Sequence, residues 1–435
     1  CYPHAGEVAV GRIFSGTVKQ GETLWALGGS KAERAQQVAM MGGGDRIQVP
    51  EVSSGNIVAI TGIRSAAAGV TISREADATP FEAIRHYSEP VVTVAIEPKA
   101  LKDLPKFVDA LRTLAKSDAS LQVTTNQETG EALLAGMGEL HLEISVYRLE
   151  EEQNIKVNVS EPIVVYRECI EGDNNGHAFE GKSPNRHNRF YIEVEPLPLD
   201  VVQALREGEF GDGPVRSKDA KSVGDKFAAF GMPKDLMRKI YAIGGTNVLV
   251  NDTKGIQNIH ETRELIIQSF EDVCKRGPLS EEPIMGVMVR LVDAKLHEDA
   301  IHRGPAQTIP AVRNAIKGAM VRAKSSLMEP TQKLQVSAPN DVMGGVTRQI
   351  TSRRGVIEDM PVEGSVTTVI GRVPVAETFG FSNDIRAASQ GRATWNTENA
   401  GFEAVPPSLF HKTVGEIRER KGLKPEVPTE SYYSD

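Results

Sequence analysis

Residues 296–310 read LHEDAIHRGPAQTIP, and the rest of the chain is organised around them. Upstream, residues 285–296 (MGVMVRLVDAKL) alternate as a strand does; downstream, residues 311–325 carry apolar side chains at helical spacing. Between them lie two histidines, two acids and an arginine, then Gly304-Pro305, a pair that neither a helix interior nor a central strand accepts easily. This pattern predicts an exposed strand-to-helix loop that presents His302 and Arg303 at its tip. Loops held by a rigid scaffold are where binding residues concentrate.

Arg303 offers a planar fork for phosphate, and the imidazole of His302 can stack on an unpaired base or donate to it. Two other readings stand beside this one. The first is a solvated turn in which His302 has no role. The second is a metal site built from His297, Glu298, Asp299 and His302. Spacing argues against the metal, because HExxxH sets its histidines five apart, off the shared helix face that HExxH uses.

With 435 residues, 40% of them hydrophobic and 25% charged, the chain has enough length for three or four domains. No apolar run approaches a membrane span and no signal peptide opens the sequence, so no membrane partner and a cytoplasmic location are expected. The three cysteines, Cys1, Cys169 and Cys274, are far apart, which suits a reducing compartment. A net charge of -8 excludes a general polyanion binder. A role on RNA then needs local basic surfaces, and residues 182–189 (KSPNRHNR), 216–226, 317–324 and Arg353-Arg354 are the candidates; a solvated face is the plainer reading of each. No GxxxxGK[ST] phosphate loop occurs, and residues 42–45 (GGGD) lack both the lysine and a following helix, so no nucleotide site can be argued.

Taken in order, the chain reads as a multidomain α+β protein. Short alternations and close glycine turns make residues 1–85 an N-terminal β-barrel. Residues 86–160 follow the order β-α-β-β-α-β of a ferredoxin-like split βαβ module, with Leu140, Ile144 and Tyr147 as the apolar set of its second helix. The same order recurs over 329–405, opening with a strand at 333–338 and a helix capped by Asn340. Residues 161–328, with 406–428, make a larger α+β domain bearing tip loops, with a strand at 187–197 and helices at 235–242 and 260–276. His141 reads as a packing or locally bonded residue, Ser408 as the cap of a last helix, and residues 423–435 as frayed.

Five stretches carry a resemblance to one family. Residues 6–24 (GEVAVGRIFSGTVKQGETL) are similar to the opening of the β-barrel second domain of translational GTPases, and residues 135–144 (AGMGELHLEI) to their domain III. SPNRHNRFYI at 183–192 and LHEDAIHRGPAQTIP resemble the two tip loops of domain IV in the elongation factor 2 family, and SRRG at 352–355 resembles domain V. Gly304-Pro305-Ala306 looks like the archaeal form of the second loop. The resemblance implies domains II to V of such a factor, without its GTP-binding domain.

It further implies that His302 is the residue converted to diphthamide. Arg303, His297, Lys182, Arg186, His187, Arg189, Arg353 and Arg354 are then the expected RNA contacts, with both tip loops at one end of the domain. The implied partners are the ribosome, with its rRNA and the tRNA–mRNA pair of the decoding region, and the diphthamide-synthesis enzymes; a monomer is expected. No cofactor or metal is expected in this chain, GTP or GDP with Mg belonging to the domain it lacks, so the chain alone should not be an enzyme. The implied function is GTP-dependent translocation of tRNA and mRNA. A paralogue in ribosome assembly, protection or splicing is the alternative. A metal-dependent hydrolase using His297, Glu298 and His302 is a distant one.

Overall fold

The computed structural model describes residues 7–29, 31–43, 45–81, 90–118, 120–125 and 132–434. The expected boundary at 85/86 lies outside the described residues, as do Cys1 and Gly44. The chain divides into two compact units, Cys1–Pro162 and Ile163–Asp435.

In the first unit, residues 8–73 form three small antiparallel sheets around one core that includes Leu24, Val38, Val58 and Ile60. The second part carries the expected α+β order. Its strand Val92–Pro98 lies between Ala132–Gly136 and Val157–Val159, with Gln122–Thr125 outside the former. The helix Glu139–Gln153 differs from expectation in the face it buries. Leu142, Ser145 and Leu149 turn inward, whereas Leu140, Ile144 and Tyr147 are exposed. His141 sets that rotation: its Nδ1 accepts the Met137 N–H at 3.1 Å, so Nε2 carries the proton and donates to Asp118 at 2.9 Å.

The second unit is built on a six-stranded sheet in the order Phe179–Lys182, Arg189–Pro196, Val287–Lys295, Asn247–Asn251, Ile240–Gly244, Gly213–Pro214. The pair Asn247–Asn251 and Val287–Lys295 is parallel and is joined through the helix Arg263–Lys275. That helix and Pro305–Arg322 pack together over Phe190, Ile192, Val289 and Leu291. Two expectations fail here. The helix expected at 235–242 is only Lys234–Met237, because Ile240, Tyr241, Ala242 and Ile243 are all buried and form a strand covered on both faces. The helix expected from residue 311 begins at Pro305: a proline at the first helical position loses no bond, and only Pro310 leaves a carbonyl of the first turns without its donor.

The C-terminal module keeps the expected order on a longer strand. Ser325–Pro339 pairs with Arg167–Ile170 at its start, then with Thr394–Ala404 on one side and Val366–Pro374 on the other. The expected 328/329 boundary therefore falls inside a strand, and the tip domain and this module share a sheet. Asn340 does not cap the following helix. Its side chain accepts from Thr367 and donates to the Gly364 carbonyl, tying the strand pair instead. Ser408 is likewise no cap, since the last long helix runs Pro407–Arg420 with Pro406 before it. The frayed tail is also overturned: Glu430–Ser434 is helical and Tyr433 is buried in the tip-domain core. Among the described residues no helix is long and apolar enough to cross a membrane.

Candidate functional site

The two tip loops do meet, and asparagine side chains join them. The first loop closes on itself: Ser183 N–H donates to Asn188 O at 3.0 Å and Arg186 N–H to Ser183 O at 2.7 Å. Asn188, fully buried, reaches across from it. Its Nδ2 donates to the His302 carbonyl at 2.7 Å and its Oδ1 accepts the His297 N–H at 3.0 Å. Asn185 adds a second tie, donating from Nδ2 to the same His302 carbonyl at 3.3 Å and from its N–H to Gln307 Oε1 at 2.9 Å. Within the second loop Asp299 caps the short turn Ala300–Arg303 by accepting from Ile301 N–H.

This frame brings three imidazoles together. The ring centroids of His187, His297 and His302 are separated by 5.0 Å (187 to 297), 5.0 Å (187 to 302) and 4.4 Å (297 to 302). Arg186 beside them has φ +58°, a left-handed conformation that a branched or long side chain adopts only at a cost of about 1 kcal/mol. Its exposed guanidinium has no partner among the described residues.

Arg303 is not where it was expected. Its side chain is 5% exposed, with Nη1 donating to the His297 and Glu298 carbonyls and Nη2 to the Glu261 carboxylate. It braces the loop from inside and presents no free fork. The reason is local: the chain turns back between 297 and 303, and the planar guanidinium meets two converging carbonyls with one nitrogen while the other reaches the carboxylate. The metal set dissolves for the same reason. His297 Nδ1 accepts the Asp299 N–H, Asp299 caps the turn, and among the described residues no group of three His, Cys, Asp or Glu side chains is placed to hold a metal ion.

The other candidate cations are partly engaged. Arg189 donates to Glu180 at 3.0 Å, and Lys182 donates to the Ser434 carbonyl at 3.3 Å. Arg353 donates to the Glu377 and Phe379 carbonyls and to Asp384; Arg354 forms a bidentate pair with buried Glu329 at 2.7 and 2.8 Å. Both sit away from the loops and hold their module together. The run 317–324 is not one basic surface either, since burial lowers the Lys317 pKa and Arg322 is paired with Glu430.

Matches to known families run the length of the chain. Family models match as follows: Elongation factor Tu domain 2 over residues 6–73; Elongation Factor G, domain III over 87–161; Elongation factor G, domain IV over 214–324; and Elongation factor G C-terminus over 326–413. Proteins named elongation factor 2 from Picrophilus torridus, Thermoplasma volcanium and Methanoregula boonei are each 51% identical over 432 residues, 99% of this chain. The chain belongs to the elongation factor 2 family. It spans 58% of the length of these relatives.

Within that family assignment, Asn188, Asn185 and Glu261 are the residues that sequence reading missed. KSPNRHNR reads first as charge, yet its two asparagines make the contacts that hold the loops. The only signal was their alternation with Arg186 and Arg189 before an apolar strand. Asn188→Ala is expected to cost about 2 kcal/mol, because it removes the partner of the His297 N–H and leaves the His302 carbonyl only the longer Asn185 contact. Urea denaturation checks this; a cost below about 0.5 kcal/mol, the level of an ordinary surface change, would show that water takes over both bonds.

Proposed function

We propose that this chain is the ribosome-binding part of a translocation factor, and that its tip enters the decoding region to hold the tRNA–mRNA pair. The observation that carries this reading is the asparagine-tied frame, which sets Arg186, His187 and His302 at one end of a rigid sheet-and-helix scaffold. Imidazoles and a free guanidinium are groups that stack on unpaired bases and bind phosphate. The tip acts as a pawl: contacts available only after the tRNA has moved make the reverse step unfavourable. GTP with Mg would be used by a domain outside this chain, which by itself performs no hydrolysis. His302 is the residue that dedicated diphthamide-synthesis enzymes would modify, adding length and positive charge. The part Arg303 plays then lies in shaping the loop.

Trypsin releases residues 296–303 as one peptide, LHEDAIHR, from protein made in its native host. Added mass on His302 matching diphthamide is the expected result. An unmodified His302 in native material sinks the assignment of the modification. For the RNA contacts, Arg186→Ala with His187→Ala is expected to weaken ribosome binding about tenfold or more, since one charge-assisted contact and one stacking contact are each worth about 1–3 kcal/mol. Unchanged binding with the fold intact removes both residues from the contact surface.

A further inference from the structure

Residues 424–434 (KPEVPTESYYS) return along one flank of the tip domain. At their root Arg418, buried in the helix Pro407–Arg420, donates from Nε to the Lys424 carbonyl at 2.6 Å and from Nη2 to the Glu426 carbonyl at 2.8 Å. At their far end Tyr433 is the single buried anchor, its hydroxyl donating to Pro278 O at 3.4 Å. Between the two, the Glu430 carboxylate takes Arg322 at 2.8 Å, and just beyond Tyr433 the Ser434 carbonyl takes the Lys182 ammonium.

Those two cations mark the ends of the edge strand Phe179–Lys182. Arg322 also donates to the His177 and Ala178 carbonyls just before the strand, and Lys182 is its last residue before the tip loop. In the sheet register Lys182 stands opposite Arg189, and Arg189 opposite Lys295. Directly paired strand residues project to the same face. A row of three cations therefore crosses the tip end of the sheet, with one acid among them, Glu180, at 3.0 Å from Arg189 and 3.8 Å from Lys182, and with Lys182 at the edge where the returning segment sits. After Lys424 that segment carries two acids, Glu426 and Glu430, and no base.

We propose that residues 424–434 are an acidic strap over an RNA-phosphate surface that is continuous with the tip. With the strap docked, Lys182 and Arg322 are occupied. With the strap released, they extend the cation row along the flank of the domain. Release beyond the root that Arg418 holds at Lys424 and Glu426 is physically easy: a five-residue helix has no stability of its own, two prolines precede it, and its docking rests on one buried tyrosine with the Glu430–Arg322 pair and the Lys182 contact at the half-exposed edge. RNA fits the uncovered surface because a line of ammonium and guanidinium groups follows a phosphate backbone and needs no apolar partner. The inference rests on the reading of the tip as an RNA-contacting site.

The test is a potassium chloride titration of a labelled single-stranded RNA against the whole chain, wild type and Tyr433→Ser with Glu430→Gln. The released chain is expected to bind more tightly at low salt, with a log-affinity slope steeper by about 1.4, two phosphates at ~0.7 each. Glu430→Gln alone, which leaves the anchor in place, is expected to give about half that change, and Lys182→Met added to the released chain to remove about half of it. Released variants that stay folded and bind with unchanged or weaker affinity overturn the strap, because a merely structural segment would loosen the domain and lose affinity. Wild-type chain that binds RNA beside an unchanged variant overturns the strap alone. Wild-type chain that binds no RNA at any salt overturns both the strap and the reading of the tip.

Discussion

Arg303→Ala is expected to release the tip loop at a cost of about 3–4 kcal/mol, the largest effect of any single change in residues 296–310. The guanidinium is almost fully enclosed and satisfies the His297 and Glu298 carbonyls together, while its second nitrogen meets Glu261 on the neighbouring turn Ile259–Thr262. Alanine leaves both carbonyls without a donor and opens a space the size of the side chain. Arg303→Lys should recover less than half of the loss, because one compact ammonium cannot reach three acceptors set in a fork. Urea denaturation gives the cost, and amide exchange over residues 297–303 locates it. A variant that keeps its stability to within about 0.5 kcal/mol yet binds RNA more weakly would return Arg303 to the role of a direct contact. Glu261 is exposed enough to be solvated when its partner is lost, so Glu261→Ala should cost well under half as much.

The contrast between Arg303 and Arg186 shows how much of the site could be read from residues alone. Both are arginines beside histidines in basic-looking loops, and nothing in their spacing separates them. What separates them is where the carbonyls of the loop turn, a property of the folded chain. The position of the loop itself was legible, because alternation over 285–296 and helical spacing from 311 bracket it, and both elements exist, the strand as Val287–Lys295 and the helix as Pro305–Arg322. Its exact start was not, since Pro305 reads as a breaker until it is recognised as a first helical residue. Buried strands were the other blind spot. Ile240–Gly244 carries apolar side chains on both faces, so the period-2 signal that found Arg189–Pro196 is missing there. The two modules of β-α-β-β-α-β order were recoverable because their central strands and first helices, Val92–Pro98 and Leu104–Ser117 in one and Val366–Pro374 and Met343–Thr351 in the other, have one wet and one dry side. The docking of residues 430–434 was not, because Tyr433 is one apolar anchor in a polar, proline-bearing stretch.

Glu168 carries the strongest pH-dependent effect expected of this chain. It is fully buried where the strand Arg167–Ile170 meets residues 277–284, and its carboxylate accepts the N–H groups of Leu279, Ser280 and Glu282 at 2.7, 2.8 and 3.0 Å. The carbonyls of the same loop face the other way, where Lys421 takes those of Ser280 and Glu281 and Arg418 takes that of Leu279. One carboxylate thus organises the junction between the shared sheet and the last long helix. Burial pushes its pKa up from 4.5 to about 7, against the three N–H donors and the nearby Lys317 ammonium. Because the folded value is the higher one, the folded chain keeps a proton that the unfolded chain has lost between those limits. The stability Glu168 contributes is therefore fully present below pH 4.5 and is lost as pH rises through 7, by about 3 kcal/mol at ~1.4 kcal/mol per pH unit. Glu168→Gln is expected to flatten that slope while starting from lower stability, since its amide nitrogen faces an N–H donor. Glu168→Ala, which strands three buried N–H groups, should cost about 3–6 kcal/mol at any pH. Urea midpoints measured from pH 4.5 to 8 for wild type and Glu168→Gln decide the matter. Equal slopes would mean that the three backbone donors outweigh burial and that Glu168 is ionised throughout, in which case the junction is held by a charge and not by a neutral acid.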